Sequence, residues 1–441
     1  KAPTERTYMQ VALKRCFGEP RLEVMNFLNE VVLRYPDAVS FAPGRPTERH
    51  FDFESSLSRA ATFVRHRVAD GRAAARDVWN SLGQYSRTNG IIAELVARHL
   101  ERDEGIRVAP DAVMLTHGCQ EAMAILMLGL FEPSQDALLV SDPTYIGMTG
   151  LASILGVEVV PVQSGSQGIT AKAVSAAISH ARRRGKRPVA VYDIPDFNNP
   201  LGTQLPLAER RALLDLLRDE RVMFIEDNPY RMFSYDGEPL PTLKALDEHG
   251  VVIYLGSFSK TVYPGLRVGY LVAEQPIMGA SGRTETLASA LSQVKSLTTV
   301  TTAPLVQAIV AGELLEHDGS LRTITAAKLP FYRANRDRMV ACIERELGSL
   351  CDAAGRRVSW TRPAGGFFLT VDLPFAFDDA CLHRCARDYG VIVCPMTFFA
   401  LSPGRESQVR LSFSYVTERQ IEEGVGRFAQ FVRDTCSGRA R

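Results

Sequence analysis

The sequence has no long apolar run and no excess of charge of either sign. No stretch reaches the roughly 20 apolar residues that a membrane-spanning helix needs, and no apolar secretory leader is visible. The formal net charge is +1, so no overall field attracts nucleic acid or an anionic membrane. We therefore expect a protein that binds neither. The sequence starts at Lys1, and whether residues precede it is left open.

Closely spaced cysteine pairs of the CxxC type are also missing. The eight cysteines are scattered along the chain. Cys381, His383 and Cys385 lie close together, but their segment has the pattern of an amphipathic helix, and two cysteines with one histidine are an incomplete zinc ligand set. We predict a helix there and no metal site. Scattered cysteines in a chain of this size are typical of a reducing compartment, which predicts a cytoplasmic location.

Apolar segments alternate with helical patterns through the middle of the chain. Segments typical of buried strands cover residues 112–118, 136–140, 157–162, 187–195, 221–230, 251–260 and 267–274. Continuous apolar strands alternating with helices predict an α/β fold, with a mostly parallel sheet that helices cover on both faces. In such sheets ligands bind beyond the carboxyl ends of the strands.

The pattern changes after about residue 325. A long helical segment, 326–347, leads into two further strand patterns around 358–374 and 408–415. We predict three parts: an N-terminal arm over residues 1–55, a large domain over 56–325, and a small C-terminal α+β domain over 326–441.

Polar residues of several kinds follow the predicted strands. Gly118 opens a helix after the first strand, and the backbone N–H groups of a helix N-terminus are suited to an anion. Ser257 and Ser259, with Arg267 shortly after them, suit a phosphate group. Lys260 lies among these residues and could be a nucleophile with a lowered pKa.

Acidic and amide groups follow the neighbouring strands. Asp227 ends a buried strand, where a carboxylate costs free energy unless it meets a positive partner. Asn199 lies in a turn rich in amides, and Tyr230 follows Asp227. A ligand that uses all of these groups is pyridoxal 5′-phosphate. Its aldehyde needs a lysine, its ring nitrogen a carboxylate, its phenolic oxygen a donor, and its phosphate hydroxyls and an arginine.

These motifs resemble those of the class I/II aminotransferases among the fold type I pyridoxal-phosphate enzymes. Within that family the chain is most similar to the branch with the 2-aminoadipate and kynurenine aminotransferases. The resemblance runs from "AVSFAPGRP" to "VRLSFSYVTERQIEEGV" and therefore covers nearly the whole chain. It implies a seven-stranded, mostly parallel sheet and transamination between an L-amino acid and a 2-oxo acid by a ping-pong Schiff-base mechanism.

The resemblance also implies roles for individual residues. Lys260 would form the Schiff base and move the proton, and Asp227 would pair with the ring nitrogen. Asn199 and the catalytic Tyr230 would bind the phenolic oxygen, and Arg410, Gly44 and Asn199 would lie at the substrate. The remaining implied cofactor contacts are Tyr145 on the ring, and at the phosphate Gly118, Cys119, Gln120, Ser257, Ser259, Arg267 and Tyr85. Because Tyr85 matches a tyrosine that reaches the neighbouring subunit's phosphate, a homodimer with shared sites is implied.

Relatives usually carry an apolar residue where this chain has Arg45, in the segment that would cover the substrate. Arg45, Arg49 and His50 could bind an acidic or phosphorylated substrate group at the pocket mouth, or they could simply face solvent. Two other functions stay open. The same site could decarboxylate, eliminate, replace or oxidise, and the same fold serves as a ligand sensor in some transcription regulators. The roughly 50 residues before the core are too few for the winged-helix domain that such regulators carry.

Overall fold

The computed structural model describes residues 9–69, 71, 73–279 and 282–438. The N-terminal segment contains helix α1 (Pro20–Arg34) and the short strand β1 (Val39–Ser40). Val39 and Ser40 pair in parallel with Val391 and Ile392 of the C-terminal region, so this segment is fastened to the far end of the chain. Short 3₁₀ helices cover Arg15–Gly18, Glu48–His50, Pro110–Ala112, Pro264–Leu266 and Met396–Phe398.

The segment over residues 56–326 alternates strands and helices as predicted. Its helices are α2 (Ser56–Val68), α3 (Ala75–Leu82), α4 (Ala93–Glu104), α5 (Gly118–Leu130), α6 (Ile146–Leu155), α7 (Ala171–Arg183), α8 (Leu207–Glu220), α9 (Leu243–Leu246), α10 (Leu287–Thr298), α11 (Pro304–Glu316) and α12 (Arg322–Ala326). Its strands are β2 (Val113–Thr116), β3 (Asp136–Asp142), β4 (Glu158–Gln163), β5 (Arg187–Asp193), β6 (Met223–Asp227), β7 (Val252–Ser257), β8 (Gly269–Val272), β9 (Pro276–Met278) and β10 (Thr284–Thr286).

Seven of these strands form one sheet in the order β2-β8-β7-β6-β5-β3-β4. Only β8 runs antiparallel to its neighbours, so the predicted seven-stranded, mostly parallel sheet is confirmed. Strands β2, β3 and β8 are buried along their whole length, because helices cover both faces. The carboxyl ends of β2, β3, β5, β6 and β7 therefore meet at one edge of the sheet. Strands β9 and β10 form a separate hairpin.

The C-terminal region is built around a four-stranded antiparallel sheet. Its helices are α13 (Leu329–Leu347), α14 (Asp379–Tyr389) and α15 (Glu418–Cys436), and its strands are β11 (Ser359–Trp360), β12 (Phe368–Asp372), β13 (Val391–Ile392), β14 (Cys394–Pro395) and β15 (Gln408–Ser412). The strand order is β11-β12-β15-β14. Since this sheet is separate from the seven-stranded one, we still propose a domain boundary near residue 326.

Two local predictions meet different outcomes. The long helix predicted from residue 326 begins at Leu329 instead, and Pro330 lies in its first turn, where the missing proline N–H costs no hydrogen bond. The segment with Cys381 and His383 is helical as predicted, and the His383 ring is 2.9 Å from the Tyr35 hydroxyl. In the described part of the chain, no cluster of residues could hold a metal ion. Nor is any described helix long and apolar enough to cross a membrane.

Candidate active site

A cavity of about 390 Å³ opens at the carboxyl edge of the seven-stranded sheet. The segment after β1, helix α1 and strand β15 close its other sides. Most predicted site residues line it, namely Gly44, Arg45, Cys119, Gln120, Tyr145, Asn199, Asp227, Tyr230, Ser257, Ser259, Lys260, Arg267 and Arg410. Residues more than 360 positions apart thus share one cavity, because the parallel strands end together and β15 packs against the N-terminal segment.

Lys260 follows β7 and directs its ammonium group across the cavity. Its Nζ donates to the backbone oxygen of Gly44 at 3.1 Å. Burial, together with the nearby charge of Arg267, lowers the pKa of Lys260 to about 8. An amine with this pKa is less protonated at neutral pH than an exposed lysine, and it can act as a nucleophile or a base.

Asp227 ends β6 and is 3% exposed. The hydroxyl of Tyr192 donates to its Oδ2 at 2.8 Å, whereas Oδ1 is buried without a hydrogen-bond partner among the described residues. Burial raises the pKa of Asp227 to about 6, although the Tyr192 hydroxyl opposes that shift. A buried carboxylate with one free oxygen is suited to a positively charged N–H group in the cavity.

The opposite end of the cavity collects phosphate-type donors. Helix α5 starts at Gly118, which has φ = +73°, and an added Cβ there would lie 2.6 Å from Nη2 of Arg267. Arg267 Nη1 lies 3.5 Å from the Ser259 hydroxyl, and the Ser257 hydroxyl accepts from the Ser259 amide at 3.1 Å. Helix N-terminus, hydroxyls and guanidinium together form a cradle for a dianion.

Aromatic and amide groups form the wall between the two ends. Tyr145 precedes α6, and its hydroxyl donates to Oε1 of Gln120 at 3.3 Å. Burial raises the pKa of Tyr145 to about 12 and that of Tyr230 further still. Both hydroxyls therefore stay protonated, and they can donate to an anionic oxygen.

Arg410 on β15 is 3% exposed and faces the same cavity. Its Nη1 donates to Oδ1 of Asn199 at 2.7 Å, and its Nη2 to the backbone oxygen of Ala42. Its Nε has no hydrogen-bond partner within the described ranges. The guanidinium lies 4.4 Å from the ring centroid of Phe368 and 4.6 Å from that of Phe399. This position suits a carboxylate that two nitrogens can bind at once.

The residues around position 45 separate in the structure. The guanidinium of Arg45 lies at the cavity, 3.8 Å from the ring centroid of Tyr415. Arg49 instead lies against Phe331, and His50 lines a different cavity. The expectation that all three lie at the pocket mouth is therefore wrong for Arg49 and His50. Both residues lie in the short 3₁₀ helix Glu48–His50, which begins three positions after Arg45.

Two predicted site residues do not line the cavity: Gly118 adjoins its lining residue Arg267, whereas Tyr85 lies away from it. Tyr85 is 80% exposed. The adjacent Ser86 hydroxyl lies 2.7 Å from that of Thr301, in the loop between α10 and α11. Exposed apolar side chains lie nearby, with Leu297 in the last turn of α10 at 88% and Val300 in the loop at 47% exposure.

Sequence reasoning missed residues that shape the site from within the core. Tyr192 lies inside β5, and no flanking polar motif distinguishes it from a packing residue. Phe368 lies on β12, where its ring fills the space that a Cβ at Gly44 would occupy, 2.2 Å away. Only the tertiary structure brings these side chains to the site.

Comparison with known proteins gives the family. The family model for aminotransferase class I and II matches residues 58–428. The chain belongs to the class I and II aminotransferases. The (S)-3,5-dihydroxyphenylglycine transaminase of Amycolatopsis orientalis is 40% identical to it over 414 residues, which cover 94% of this chain and 92% of that protein.

Two further relatives of this aminotransferase agree with that assignment. The 2-aminoadipate transaminase of Thermus thermophilus is 30% identical over 90% of this chain and 91% of that protein. A crystal structure of the kynurenine aminotransferase of Pyrococcus horikoshii, in complex with PMP, superposes with a TM-score of 0.80 at 26% identity and covers 96% of this chain and 97% of that chain. The comparisons favour transamination over the other reactions considered for this site.

The cofactor of this aminotransferase is pyridoxal 5′-phosphate, and the residues present fit it. The unpartnered Oδ1 of Asp227 suits a protonated ring nitrogen. The cradle around Gly118 and Arg267, which a Cβ would fill, suits its phosphate. Lys260 lines the same cavity with a lowered pKa.

Proposed function

We propose that the cavity holds pyridoxal 5′-phosphate between Asp227 and the α5 N-terminus, with Lys260 at the reacting carbon. The single observation that carries this proposal is the cavity itself. It brings an amine of lowered pKa and a carboxylate with an unpartnered oxygen to the two sides of one space. Ser257, Ser259, Arg267 and the amides of Cys119 and Gln120 would hold the phosphate, while Tyr145 lies against the ring.

When bound, the cofactor supplies a sink for the negative charge that develops at the substrate Cα. Asp227 would keep the ring nitrogen protonated, because a positive partner compensates the burial of its carboxylate. Lys260 Nζ would accept the proton from the substrate Cα. It would later deliver a proton to the carbon of the cofactor that is bonded to the substrate nitrogen. Asn199 and Tyr230 would donate to the phenolic oxygen, and Arg410 would fix the substrate carboxylate.

We also propose the substrate class, an amino acid with an aromatic side chain that carries a polar ring substituent. Val32, Leu33, Ile146 and Phe399 supply an apolar wall to the cavity. Arg45 lies at the same cavity and, among the described residues, has no carboxylate within 4.0 Å, so its donors are available for a hydroxyl or an acidic group. The 40% identical relative is named for a dihydroxyphenylglycine, which has this chemistry.

The assembly that we propose is a homodimer with shared sites. In support, Tyr85 lies exposed next to a loop with exposed apolar side chains, a surface that a second subunit could cover. We further propose a cytoplasmic location, since all eight cysteines are free thiols.

The attachment of the cofactor tests the catalytic assignment. Borohydride reduction of the holoenzyme should fix the cofactor on the peptide that contains Lys260, as read by mass spectrometry. Lys260→Ala should show no attachment and should lose transamination by roughly 1,000-fold or more. Lys244→Met removes a buried lysine outside the cavity, and it should keep both the cofactor attachment and the transamination activity. Attachment at another lysine would contradict the proposal.

A further inference from the structure

A second cavity, of about 250 Å³, lies next to the loop that follows Lys260. Thr261, Val262 and Tyr263 form one wall. The other walls come from His50 and Asp52 near the end of the N-terminal segment, from Arg59 and Glu313 on the packed helices α2 and α11, and from the residues before α13. This cavity is therefore lined by two chain segments that also contribute to the active site, the loop after Lys260 and the N-terminal segment that contains Arg45.

Lys328 is a buried cation in this cavity without a carboxylate of its own. It is 8% exposed, and its ammonium donates to the backbone oxygen of Thr261. No carboxylate of the described residues lies within 4.0 Å of it. The other two buried lysines differ: Lys295 lies 2.9 Å from Glu121, and Lys244 pairs with Glu274. A buried ammonium is costly unless an anion compensates it.

The acidic groups near Lys328 already have partners. Glu313 pairs with Arg59 and lies 3.5 Å from the His317 ring, while Asp52 lies 3.4 Å and Glu316 3.9 Å from Arg59. Burial lowers the pKa of Lys328 to about 8, against the opposing charge of Glu313, so the amine is still mostly protonated at neutral pH. Among the described residues, Lys328 is therefore the cation of this cavity whose charged group has no carboxylate in contact, although Glu313 lies near enough to raise its pKa.

Two further polar atoms of the cavity walls are unpartnered. Within the part of the chain that the structure describes, the hydroxyl of Thr261 and Nε2 of His50 are buried without hydrogen-bond partners. Thr261 is 5% exposed. Both groups can donate, and each costs free energy if it is left unsatisfied. Ammonium, hydroxyl and imidazole are the donor set that a small anion needs.

We propose that this second cavity binds a small monovalent anion, a carboxylate or a halide, between Lys328, Thr261 and His50. The anion compensates the charge of Lys328 and satisfies the two free donors. Because Lys328 also holds the backbone oxygen of Thr261, the residue after Lys260, the bound anion fixes the loop that carries Lys260. The site is separate from the cofactor cavity and does not depend on the substrate proposed above.

Thermal unfolding of the holoenzyme in increasing sodium acetate or sodium bromide tests the site. A ligand that binds the native state raises the melting temperature with concentration. The wild type should gain about 2 °C or more before saturation, and the Lys328→Met variant should not show that gain. Lys244→Met, the matched loss of a buried but paired lysine, should respond like the wild type. Acetate and bromide arms show whether carboxylate or halide is preferred.

Thr261→Val removes one hydroxyl with little change of shape, and it should raise the half-saturating concentration severalfold. Crystals of the wild-type holoenzyme in bromide should show an anomalous peak within hydrogen-bond distance of Lys328 Nζ. If Lys328→Met does not fold, these two measurements decide the question. Equal anion responses in the wild type and Thr261→Val, or a cavity without the bromide peak, would overturn the proposal.

Discussion

The buried carboxyl of Asp227 costs stability in the cofactor-free protein, whereas in the holoenzyme it would bind the cofactor. Its carboxyl is buried, and it has the Tyr192 hydroxyl as a partner on one oxygen only. Burial raises the pKa of Asp227 to about 6 from an ordinary value of 3.8, although the Tyr192 hydroxyl and the nearby charge of Lys260 oppose that shift. The proposed ring nitrogen would be a positive partner in direct contact with the carboxyl. The stability of the cofactor-free protein should therefore depend on pH through this residue.

The direction of this pH dependence follows from the raised pKa of Asp227. The folded protein binds the Asp227 proton more tightly than the unfolded chain, so this contribution to stability is fully present below about pH 4 and is lost as the pH rises through about 6. Between pH 4 and pH 7 the cofactor-free wild type should lose about 2 kcal/mol of unfolding free energy relative to Asp227→Asn. Urea unfolding of both proteins measures this difference.

Tyr192→Phe is the matched control for this experiment. It keeps the carboxyl but removes the hydroxyl that lowers its pKa, so the loss of stability should start at the same pH, extend to higher pH and become larger. A difference between wild type and Asp227→Asn that does not change with pH would contradict the account.

Arg45 is the side chain on which the proposed substrate preference depends. Arg45→Ala should lower kcat/KM for substrates with a ring hydroxyl or a ring carboxylate by about 10-fold relative to phenylglycine, the size of one lost charged hydrogen bond. Arg49→Ala is the control, because Arg49 carries the same charge but lies against Phe331. If Arg45→Ala keeps the wild-type ratio of kcat/KM between these substrates and phenylglycine, Arg45 does not recognise a polar ring substituent, and that part of the proposal is wrong.

The start of α5 depends on a glycine for two separate reasons. Gly118 has φ = +73°, a backbone conformation that is strained for other residues. In addition, any Cβ would meet the guanidinium of Arg267 at 2.6 Å. The strand-to-helix turn thus brings the helix amides and the arginine together at the phosphate cradle.

Gly118→Ala should therefore weaken cofactor binding by at least about 10-fold, in addition to a loss of roughly 1–2 kcal/mol in stability from the backbone strain. Gly105→Ala separates the two effects. Gly105 ends α4 with φ = +71° and has open space where its Cβ would lie. It should show the stability loss with unchanged cofactor affinity, measured by fluorescence titration. If the two variants bind the cofactor with equal affinity, the predicted contact between a Cβ at position 118 and Arg267 does not affect cofactor binding.

The proposed dimer makes each active site depend on both chains. Lys260 of one subunit would act with Tyr85 of the other. Lys260→Ala and Tyr85→Ala homodimers should both be weakly active, but refolding them as a mixture should restore about a quarter of the wild-type activity, since half of the dimers then contain one intact site. Sedimentation of each variant checks that it remains dimeric. No restoration in confirmed mixed dimers would argue against shared sites.

Much of the fold and of the site could be predicted from sequence. The strand patterns and the polar residues that follow them predicted the sheet and placed Lys260 and Asp227 at its edge. The exceptions are instructive. Arg45 and His50 are only five positions apart in sequence but line different cavities. Lys328 belongs to no motif, because its significance comes from the lack of a carboxylate near it in space.

The sequence by itself determined the local elements, the family and the kinds of chemical group at each strand end, since these follow from residue pattern within short segments. Only the tertiary structure decided that Tyr192 donates to Asp227, that Gly44 accepts from Lys260, and that Lys328 lies buried and unpaired. The physical reason is that burial and long-range contacts set these pKa values and partners. They depend on which distant segments the packed core brings together.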